Sequence, residues 1–284
     1  MDKVLKHTFD GMDLYSLTDG TFRLDGGAMF GIVPRVIWEK TNPPDEANRI
    51  SMGLNPLLII SHGKRVLVDT GIGDKLDRKS HEIYAVDRRF DLIDSLHEVG
   101  VKPDEIDIVV NTHLHFDHAG GNTRKNENGM IVPTFPNAQY VIAKGEWENA
   151  CQPDMRSEKS YVREDFEPLK KTGNLRLVEG QAEISPGVWT YPTPGHNRHH
   201  QSVYFESGGE RGIYLGDLIP TSSHIPLPYV MGYDLYPATT VEVKRDLLDR
   251  AYEEGWLLVL EHDPSIRWGR LERRGDSYIL QRED

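Results

Sequence analysis

The segment His113-Leu114-His115-Phe116-Asp117-His118 places three histidines and an aspartate within six residues. It follows an apolar run, residues 106–110, that is typical of a buried β-strand, and Asn111-Thr112 marks where that strand leaves the core. Neutral imidazole nitrogen suits zinc, and a carboxylate balances the charge of the cation. The spacing therefore predicts a metal site at a strand end. The alternative is a polar loop that happens to be rich in histidine.

Further metal-binding side chains follow predicted strands elsewhere in the chain. They lie in Thr193-Pro194-Gly195-His196, Gly216-Asp217 and Glu261-His262-Asp263, and Asp69 ends an earlier predicted strand. A lone His196 or His262 would more often be structural than ligating, and Asp217 after a glycine is typical of a turn. The six-residue motif reverses that balance, and we predict that His196, Asp217 and His262 are ligands.

Charge and composition exclude several classes of protein. The 284-residue chain carries a net charge of −12, and no Lys/Arg-rich run offsets it, which argues against a nucleic-acid partner. Cys151 is the only cysteine, so no intrachain disulfide can form. The N-terminus lacks the apolar stretch of a signal peptide, and no run approaches the ~20 apolar residues of a membrane span. We predict a cytoplasmic protein with a small-molecule substrate and no membrane partner.

The elements that position these residues indicate an α/β fold. Strands in two groups, each accompanied by helices, fit two sheets packed face to face with helices outside. No linker rich in proline, serine or glycine divides the chain, so we predict a single domain over residues 1–284. The predicted strands cover 57–60, 65–68, 138–143, 175–178, 188–191, 202–205, 213–215, 256–260, 266–271 and 278–280, and the predicted helices cover 89–99, 145–151 and 240–254.

Residues 26–44 combine glycines and prolines with large apolar side chains. The glycines and prolines argue against a regular element, whereas Met29, Phe30 and Trp38 are too apolar for an ordinary solvated loop. Such a segment lines a binding cleft or a homodimer interface, or it packs on the sheet. The sequence leaves these alternatives open.

The motifs together resemble the metallo-β-lactamase superfamily, from about residue 57 to 264. The resemblance implies a four-layer αββα sandwich and two divalent cations, with zinc expected and manganese, iron or cobalt compatible. One cation would be held by His113, His115 and His196, the other by Asp117, His118 and His262, with Asp217 between them. The resemblance also implies that Asp69 orients a metal-bound histidine and that His200 lies just outside the ligands.

The ligand set separates the branches of that superfamily. Enzymes that open β-lactam rings typically have Cys or Ser where this chain has Asp217. Flavin-linked diiron reductases have Glu in place of His115 and carry a flavodoxin domain, and the zinc nucleases insert a further domain. Glutathione thiolester hydrolases stay open, although no glutathione-binding C-terminal extension is evident.

The greatest similarity is to lactonases that open N-acyl homoserine lactones in quorum quenching. It rests on residues 28–34, 113–122 and 216–221. Lactonases of this fold place a lactone-contacting tyrosine three residues after the bridging aspartate, where this chain has Pro220. His224, Tyr229 or Tyr233 could replace it. Organophosphate hydrolases of the same fold share much of the pattern and are the main enzymatic alternative.

A mechanism follows from the resemblance. A metal-bridging hydroxide attacks the lactone carbonyl, and the cation stabilises the oxyanion. Asp117 passes a proton to the leaving alkoxide as general acid, or it acts only as a ligand. The apolar wall for an acyl chain would consist of Met29, Phe30, Trp38 and Phe116, although Phe116 could equally pack in the core. A metal-stabilised domain without catalysis is the alternative from another class; the complete ligand set argues against it.

Overall fold

The computed structural model of the protein describes residues 4–283. Residues 1–3, which begin the N-terminal segment predicted to lack a signal peptide, therefore lie outside the described residues. In chain order the strands are β1 (Leu5–Phe9), β2 (Met12–Ser16), β3 (Thr21–Asp25), β4 (Arg49–Gly53), β5 (Leu57–Ser61), β6 (Lys64–Val68), β7 (Ile108–Val110), β8 (Thr123–Lys125), β9 (Ile131–Pro133), β10 (Gln139–Ala143), β11 (Leu175–Val178), β12 (Ala182–Ser185), β13 (Val188–Pro192), β14 (Gln201–Ser207), β15 (Glu210–Tyr214), β16 (Leu257–Val259), β17 (Trp268–Arg274) and β18 (Ser277–Arg282).

The helices are mostly short. The α-helices are α1 (Gly26–Phe30), α2 (Arg35–Trp38), α3 (Arg78–Tyr84), α4 (Leu92–Glu98), α5 (Phe116–Ala119), α6 (Lys144–Cys151), α7 (Arg163–Phe166) and α8 (Pro237–Glu253). Turns of 3₁₀ helix cover Pro103–Glu105, Gly120–Asn122, Glu158–Ser160, Glu167–Lys171, Gly216–Leu218 and Ser222–His224. Among residues 4–283, no helix has both the length and the apolar character needed to cross a membrane.

Two seven-stranded sheets form the framework. The first has the order β1-β2-β5-β6-β7-β10-β11, and the second has the order β12-β13-β14-β15-β16-β17-β18. Strands β6, β7, β10 and β11 run parallel, as do β15 and β16, while the remaining neighbours in both sheets are antiparallel. Two smaller antiparallel pairs, β3 with β4 and β8 with β9, stand apart from these sheets.

Alternation of side chains along each strand produces the layers. In β6, Val66 and Val68 enter the core between the sheets, while Leu67 faces the outer core that packs on helices α4 and α6. In the second sheet, Leu257 faces inward and Leu258 packs outward against α8. Helix, sheet, sheet and helix therefore form four layers, which confirms the predicted αββα sandwich.

The parallel strands bring the functional segments to one edge of the sandwich. Val68 of β6 is paired with Val110 of β7, so Asp69 and Asn111 leave their sheet side by side. Tyr214 of β15 is paired with Val259 of β16, so the segments leading to Asp217 and His262 also emerge together. The Gln201 backbone N–H donates to Thr112 O at 3.1 Å and links the two sheets at this edge.

The prediction of an irregular segment over residues 26–44 was wrong in part. The Asp25 side chain accepts from Ala28 N–H and begins α1, and Gly31, with φ of 54°, ends it. Pro34 then precedes the single turn α2. Each helix is too short to show a helical hydrophobic period, so only the glycine and proline signals were visible in the sequence.

Candidate metal centre

Three histidines surround one small volume at the edge of the sandwich. His115 Nδ1 lies 3.0 Å from His113 Nε2 and 3.1 Å from His196 Nε2, and all three nitrogens face one another. Tetrahedral zinc, with Zn–N distances of 2.0–2.1 Å, would separate such nitrogens by roughly 3.3 Å. The spacing of this three-histidine cluster (His113, His115, His196) therefore fits one cation.

The second group is the Asp117 cluster, formed by Asp117, His118 and His262. His262 Nε2 lies 3.1 Å from His118 Nε2 and 3.8 Å from Asp117 Oδ2. All three side chains are buried. Asp117 lies in the first turn of α5, the helix that begins within the six-residue motif. This cluster supplies two nitrogens and one oxygen.

Asp217 stands between the clusters and presents one oxygen to each. Its Oδ2 is 3.2 Å from His196 Nε2 and 3.8 Å from His113 Nε2. Its Oδ1 is 3.3 Å from His262 Nε2 and 3.5 Å from His118 Nε2, and this buried oxygen has no hydrogen-bond partner within residues 4–283. Each cluster plus one Asp217 oxygen offers four donors, the number that tetrahedral zinc takes. The donor set therefore fits two cations, and the structure brings all seven predicted ligands together.

In four ligand histidines, the ring nitrogen that points away from the clusters contacts another group of the protein. This arrangement fixes the ring orientation and the nitrogen that faces the metal. The contacts are His113 Nδ1 to Thr112 Oγ1 at 3.1 Å, His118 Nδ1 to Asp69 Oδ2 at 3.1 Å and to Glu261 Oε2 at 2.8 Å, His196 Nδ1 to Asp234 Oδ1 at 3.0 Å, and His262 Nδ1 to Gly53 O at 2.9 Å.

Asp69 and His200, the two predicted residues outside the ligand set, both lie behind it. Asp69 has a φ of 55° and accepts from the backbone N–H and hydroxyl of Thr112, each at 2.7 Å. His200 Nε2 accepts from Asp217 N–H at 3.1 Å, so its ring orients the backbone of that carboxylate. Gly216, with φ of 52°, leaves room for this contact because a Cβ there would lie 2.8 Å from His200 Nε2.

The charges of the two clusters differ. Burial favours the neutral imidazole, and together with the neighbouring histidines it holds the pKa of His113 and His115 well below the usual range. Burial acts in the same sense on His262, but Asp217 outweighs it and raises the pKa to about 9. Against its own burial, Asp217 has a pKa well below the usual range because of His118 and His196. The Asp117 cluster is thus the side on which the protein stabilises positive charge most strongly.

Asp234 and Glu261 contact ligands but had no role assigned from the sequence. Glu261 adjoins His262 in the chain, so its position in the strand-end motif was the available signal. Asp234 lies 38 residues after His196, and only folding brings the two together.

Replacing Asp234 with asparagine is expected to weaken zinc binding by about 10–100-fold, as loss of an orienting partner usually does. The amide keeps the volume but removes the negative charge that makes His196 a better donor. Zinc affinity would be measured by competition with a chromophoric chelator. Asp249→Asn, which changes an exposed carboxylate that accepts from Tyr278 OH, is the control. Equal affinities for both variants would contradict the assigned role of Asp234.

A cavity of about 300 Å³ opens above the clusters. Its base includes five of the seven predicted ligands, namely His115, Asp117, His196, Asp217 and His262. The walls combine apolar side chains with hydroxyls and one guanidinium: Leu24, Met29, Tyr84, Phe116, Arg156, Ser157, Ser160, Met231, Gly232, Tyr233 and Leu235. The volume is at the lower end of the range for small-molecule sites.

Two of the six residues predicted to contact substrate, Met29 and Phe116, line the cavity. The other four stand behind that wall: Phe30 stacks between Trp38 at 5.4 Å and His224 at 4.6 Å, with Tyr229 against its edge. His224 Nε2 also contacts Met29 O at 2.9 Å. Because α1 and α2 turn Phe30 and Trp38 into the apolar core beneath, these side chains support Met29 and do not face the cavity.

Tyr84 and Tyr233 also line the cavity. Tyr84 was not among the predicted site residues, whereas Tyr233 was one of the three residues named as a replacement for the lactone-contacting tyrosine. The Tyr84 ring stacks on Phe116 with centroids 5.0 Å apart. Among residues 4–283, neither tyrosine hydroxyl has a hydrogen-bond partner. Burial, with the charges of Asp25 and Asp117 adding to it, raises the pKa of Tyr233 to about 12. Burial also raises the pKa of Tyr84, so both phenols are protonated at neutral pH and are available as donors in the cavity wall.

Glu146 is a buried carboxylate on α6 that packs beside the metal-binding turn. Its Oε1 accepts from Leu114 N–H at 2.9 Å and from Tyr161 OH at 3.1 Å. Burial raises its pKa to about 7, and these hydrogen bonds only partly oppose the shift. Glu146 therefore titrates in the neutral range.

The stability of the protein is expected to depend on pH through Glu146. Because the pKa of Glu146 in the folded protein, about 7, exceeds the 4.5 of a solvent-exposed glutamate, the folded state binds more protons between these values, and stability falls as pH rises through this window. Relative to Glu146→Gln, the wild type should lose about 2–3 kcal/mol of unfolding free energy between pH 5 and pH 8. Urea unfolding at both values measures the difference. Glu148→Gln, on the exposed face of α6, is the control, and an equal change in both variants would refute the expectation.

Comparisons with known proteins agree with this geometry. A model of the metallo-beta-lactamase superfamily matches residues 53–262. An N-acyl homoserine lactonase from Bacillus thuringiensis is 33% identical over 124 residues, which cover 44% of this chain and only 42% of that protein's length. The N-acyl homoserine lactonase AttM of Rhizobium radiobacter is 26% identical over 240 residues, covering 78% of this chain and 86% of its own. A probable metal-dependent hydrolase from Staphylococcus aureus superposes with a TM-score of 0.87 at 30% identity, covering 96% of this chain and 98% of its own.

Proposed function

Since the chain belongs to the metallo-beta-lactamase superfamily, we propose that it is a dinuclear metal hydrolase that opens lactone rings, with N-acyl homoserine lactones as substrates. Membership in the superfamily and the paired ligand clusters support a metal-dependent hydrolase. The lactonase relatives support the lactone as the bond that is cleaved. The observation that carries the proposal is the position of Asp217, with one oxygen toward each cluster.

The donor chemistry favours zinc, although manganese, iron and cobalt accept the same ligands. When bound, two such cations would polarise the carbonyl oxygen of the substrate and lower the pKa of water to near neutrality. The histidines keep these positions fixed because their outer nitrogens are anchored to Asp69, Asp234 and Gly53. The protein itself needs to supply no nucleophile.

The side chains of the cavity supply proton transfer and substrate contacts. Asp117 faces the cavity and can carry a proton to the leaving alkoxide. The hydroxyls of Tyr84 and Tyr233 can donate to the carbonyl or amide oxygen of a substrate. Met29 and Phe116 offer apolar surface to an acyl chain.

Phosphotriester hydrolysis is the second candidate, and the surroundings of Pro220 favour it. Pro220 stands where related lactonases have a tyrosine, and its carbonyl accepts from His262 N–H at 3.0 Å. This position therefore offers no hydroxyl to a lactone.

A homodimer interface at residues 26–44 stays one of the alternatives that the sequence left open, and the cytoplasmic location stays a prediction. Ile32 and Val36, exposed by 84% and 66%, are the apolar side chains available for a dimer contact.

Initial rates with a long-chain N-acyl homoserine lactone and an aryl phosphotriester test the proposal. We expect lactone opening with kcat/KM of at least about 10⁴ M⁻¹s⁻¹ and weak phosphotriester turnover. Treatment with a chelator should remove activity, and zinc should restore it. The reverse ranking of substrates would assign phosphotriester hydrolysis. Retained metal without turnover of any lactone, ester or phosphotriester would identify a binding domain.

A further inference from the structure

Glu146 is buried beside the metal centre, and the proposed hydrolysis does not use it. Its side chain lies on α6 with no exposed surface. Oε1 accepts two hydrogen bonds, whereas Oε2 is buried without a hydrogen-bond partner among residues 4–283. A buried carboxylate with an unused acceptor destabilises the fold. The presence of a carboxylate at this buried position therefore requires an explanation other than packing.

The first contact of Glu146 acts on the backbone between two ligands. Leu114 lies between His113 and His115, and its N–H donates to Glu146 Oε1 at 2.9 Å. This segment belongs neither to β7 nor to α5, so no regular ladder of hydrogen bonds holds its backbone. The bond to Glu146 fixes the peptide whose rotation would redirect both imidazoles.

The second contact acts on the ring of His115. Tyr161 donates its hydroxyl to Glu146 Oε1 at 3.1 Å, and its ring meets the His115 ring edge to face, with centroids 4.9 Å apart. His115 Nε2 is buried and has no hydrogen-bond partner in the described part of the chain. Unlike the four other ligand histidines, His115 is therefore held by the Tyr161 ring and the Leu114 peptide instead of an outer hydrogen bond.

The Asp117 cluster is held by different groups. His118 is anchored by Asp69 and Glu261, and His262 is anchored by Gly53. Within residues 4–283, Glu146 makes no hydrogen bond to any of these. Its contacts converge on one side of the metal centre.

We propose that Glu146 is a positioning residue for the three-histidine cluster and that it acts through Leu114 N–H and Tyr161. The inference rests on the proposed two-cation site. Removing the carboxylate should weaken one of the two zinc equivalents and leave the other unchanged. Glutamine keeps the Oε1 acceptor for both contacts, so Glu146→Gln should bind both zinc equivalents as the wild type does.

Zinc titration of the full-length protein against a chromophoric chelator tests this inference. For Glu146→Leu, we expect at least a tenfold weaker affinity for one zinc equivalent and a change below twofold for the other. Glu146→Gln should bind both within threefold of wild type. Tyr161→Phe, which removes one of the two contacts, should fall between them. Glu148→Leu, the same change on the exposed face of α6, is the matched control.

The cobalt-substituted proteins give a second readout, the visible absorption of the ligand field. Glu146→Leu should change the spectrum of one cobalt equivalent only. Unchanged affinities and spectra in Glu146→Leu, or equal weakening of both equivalents with a lowered melting temperature, would overturn the inference. A wild-type protein that binds no zinc would contradict both this inference and the proposed function. Two intact zinc equivalents in both wild type and Glu146→Leu would defeat this inference alone.

Discussion

Asp217→Ala is expected to abolish measurable lactone opening, a loss well beyond the roughly 10–100-fold that follows removal of an orienting residue. Asp217 gives one oxygen to each cluster, so its removal leaves three donors on each side and takes away the negative charge between them. The zinc content should fall from two equivalents to one or fewer. Initial rates and metal analysis of the purified variant measure both effects.

Asp165→Asn is the control for a buried aspartate. Asp165 is as buried as Asp217, but it pairs with Lys75 at 3.1 Å and contributes to neither cluster. This variant should lose stability and retain two zinc equivalents. Full activity or two tightly held zinc ions in Asp217→Ala would show that the carboxylate does not join the clusters, and the dinuclear proposal would fail.

The sequence predicted the layered fold and its family correctly because the relevant signals are local. Strands such as β5 and β6 have a core on each face, so they appear in the sequence as short continuous apolar runs, which can be recognised without knowledge of their partners. The metal-binding side chains follow strands directly, so their positions depend on where each strand ends. Parallel pairing then brings these ends together, as the register of Val68 with Val110 shows.

The contacts behind the ligands could not be predicted in this way. Asp234 is 38 residues from His196, and Glu146 is 32 residues from Leu114. Asp234 and His196 meet because two loops converge at the sandwich edge, and Glu146 meets Leu114 because α6 packs beside the metal-binding turn. A single sequence contains no period or spacing that links such residues.

The cavity wall shows the same limit at shorter range. The apolar character of residues 26–44 left a cleft wall, a dimer interface and packing on the sheet open, and the structure buries Phe30 and Trp38. It could not predict direction, because single helical turns show no period that separates a core face from a cavity face. Trp38 packs so closely on Gly26 that a Cβ there would lie 2.4 Å from its ring, and this contact directs the indole inward.

Tyr84 shows why cavity residues were missed. It ends α3, a short helix with no buried residue and no motif, and it reaches the site only by stacking on Phe116. The five residues that begin α3 are polar or charged, which is typical of a solvated helix. Of the two tyrosines in the cavity wall, Tyr233 was therefore within reach of the sequence argument and Tyr84 was not.

Asp117→Asn is expected to slow lactone opening by about 10²–10⁴-fold, the usual contribution of a general acid. Among the predicted ligands, Asp117 has the longest contacts, 3.8 Å to His262 Nε2 and 4.0 Å to His118 Nε2, and it lines the cavity. This position suits a carboxyl group that exchanges a proton with substrate. Asparagine preserves one oxygen for a cation but cannot deliver the proton that a leaving alkoxide needs.

The leaving group separates proton transfer from ligation. A nitrophenolate leaves without protonation, so Asp117→Asn should slow hydrolysis of a nitrophenyl ester by less than about tenfold while lactone opening falls much further. Two zinc equivalents should remain, because the Asp117 cluster keeps His118, His262 and the shared Asp217 oxygen. Parallel losses on both substrates, accompanied by loss of one zinc, would instead assign Asp117 to ligation alone. In that case the proton would have to come from another donor in the cavity, and Tyr84→Phe and Tyr233→Phe would be the variants that identify it.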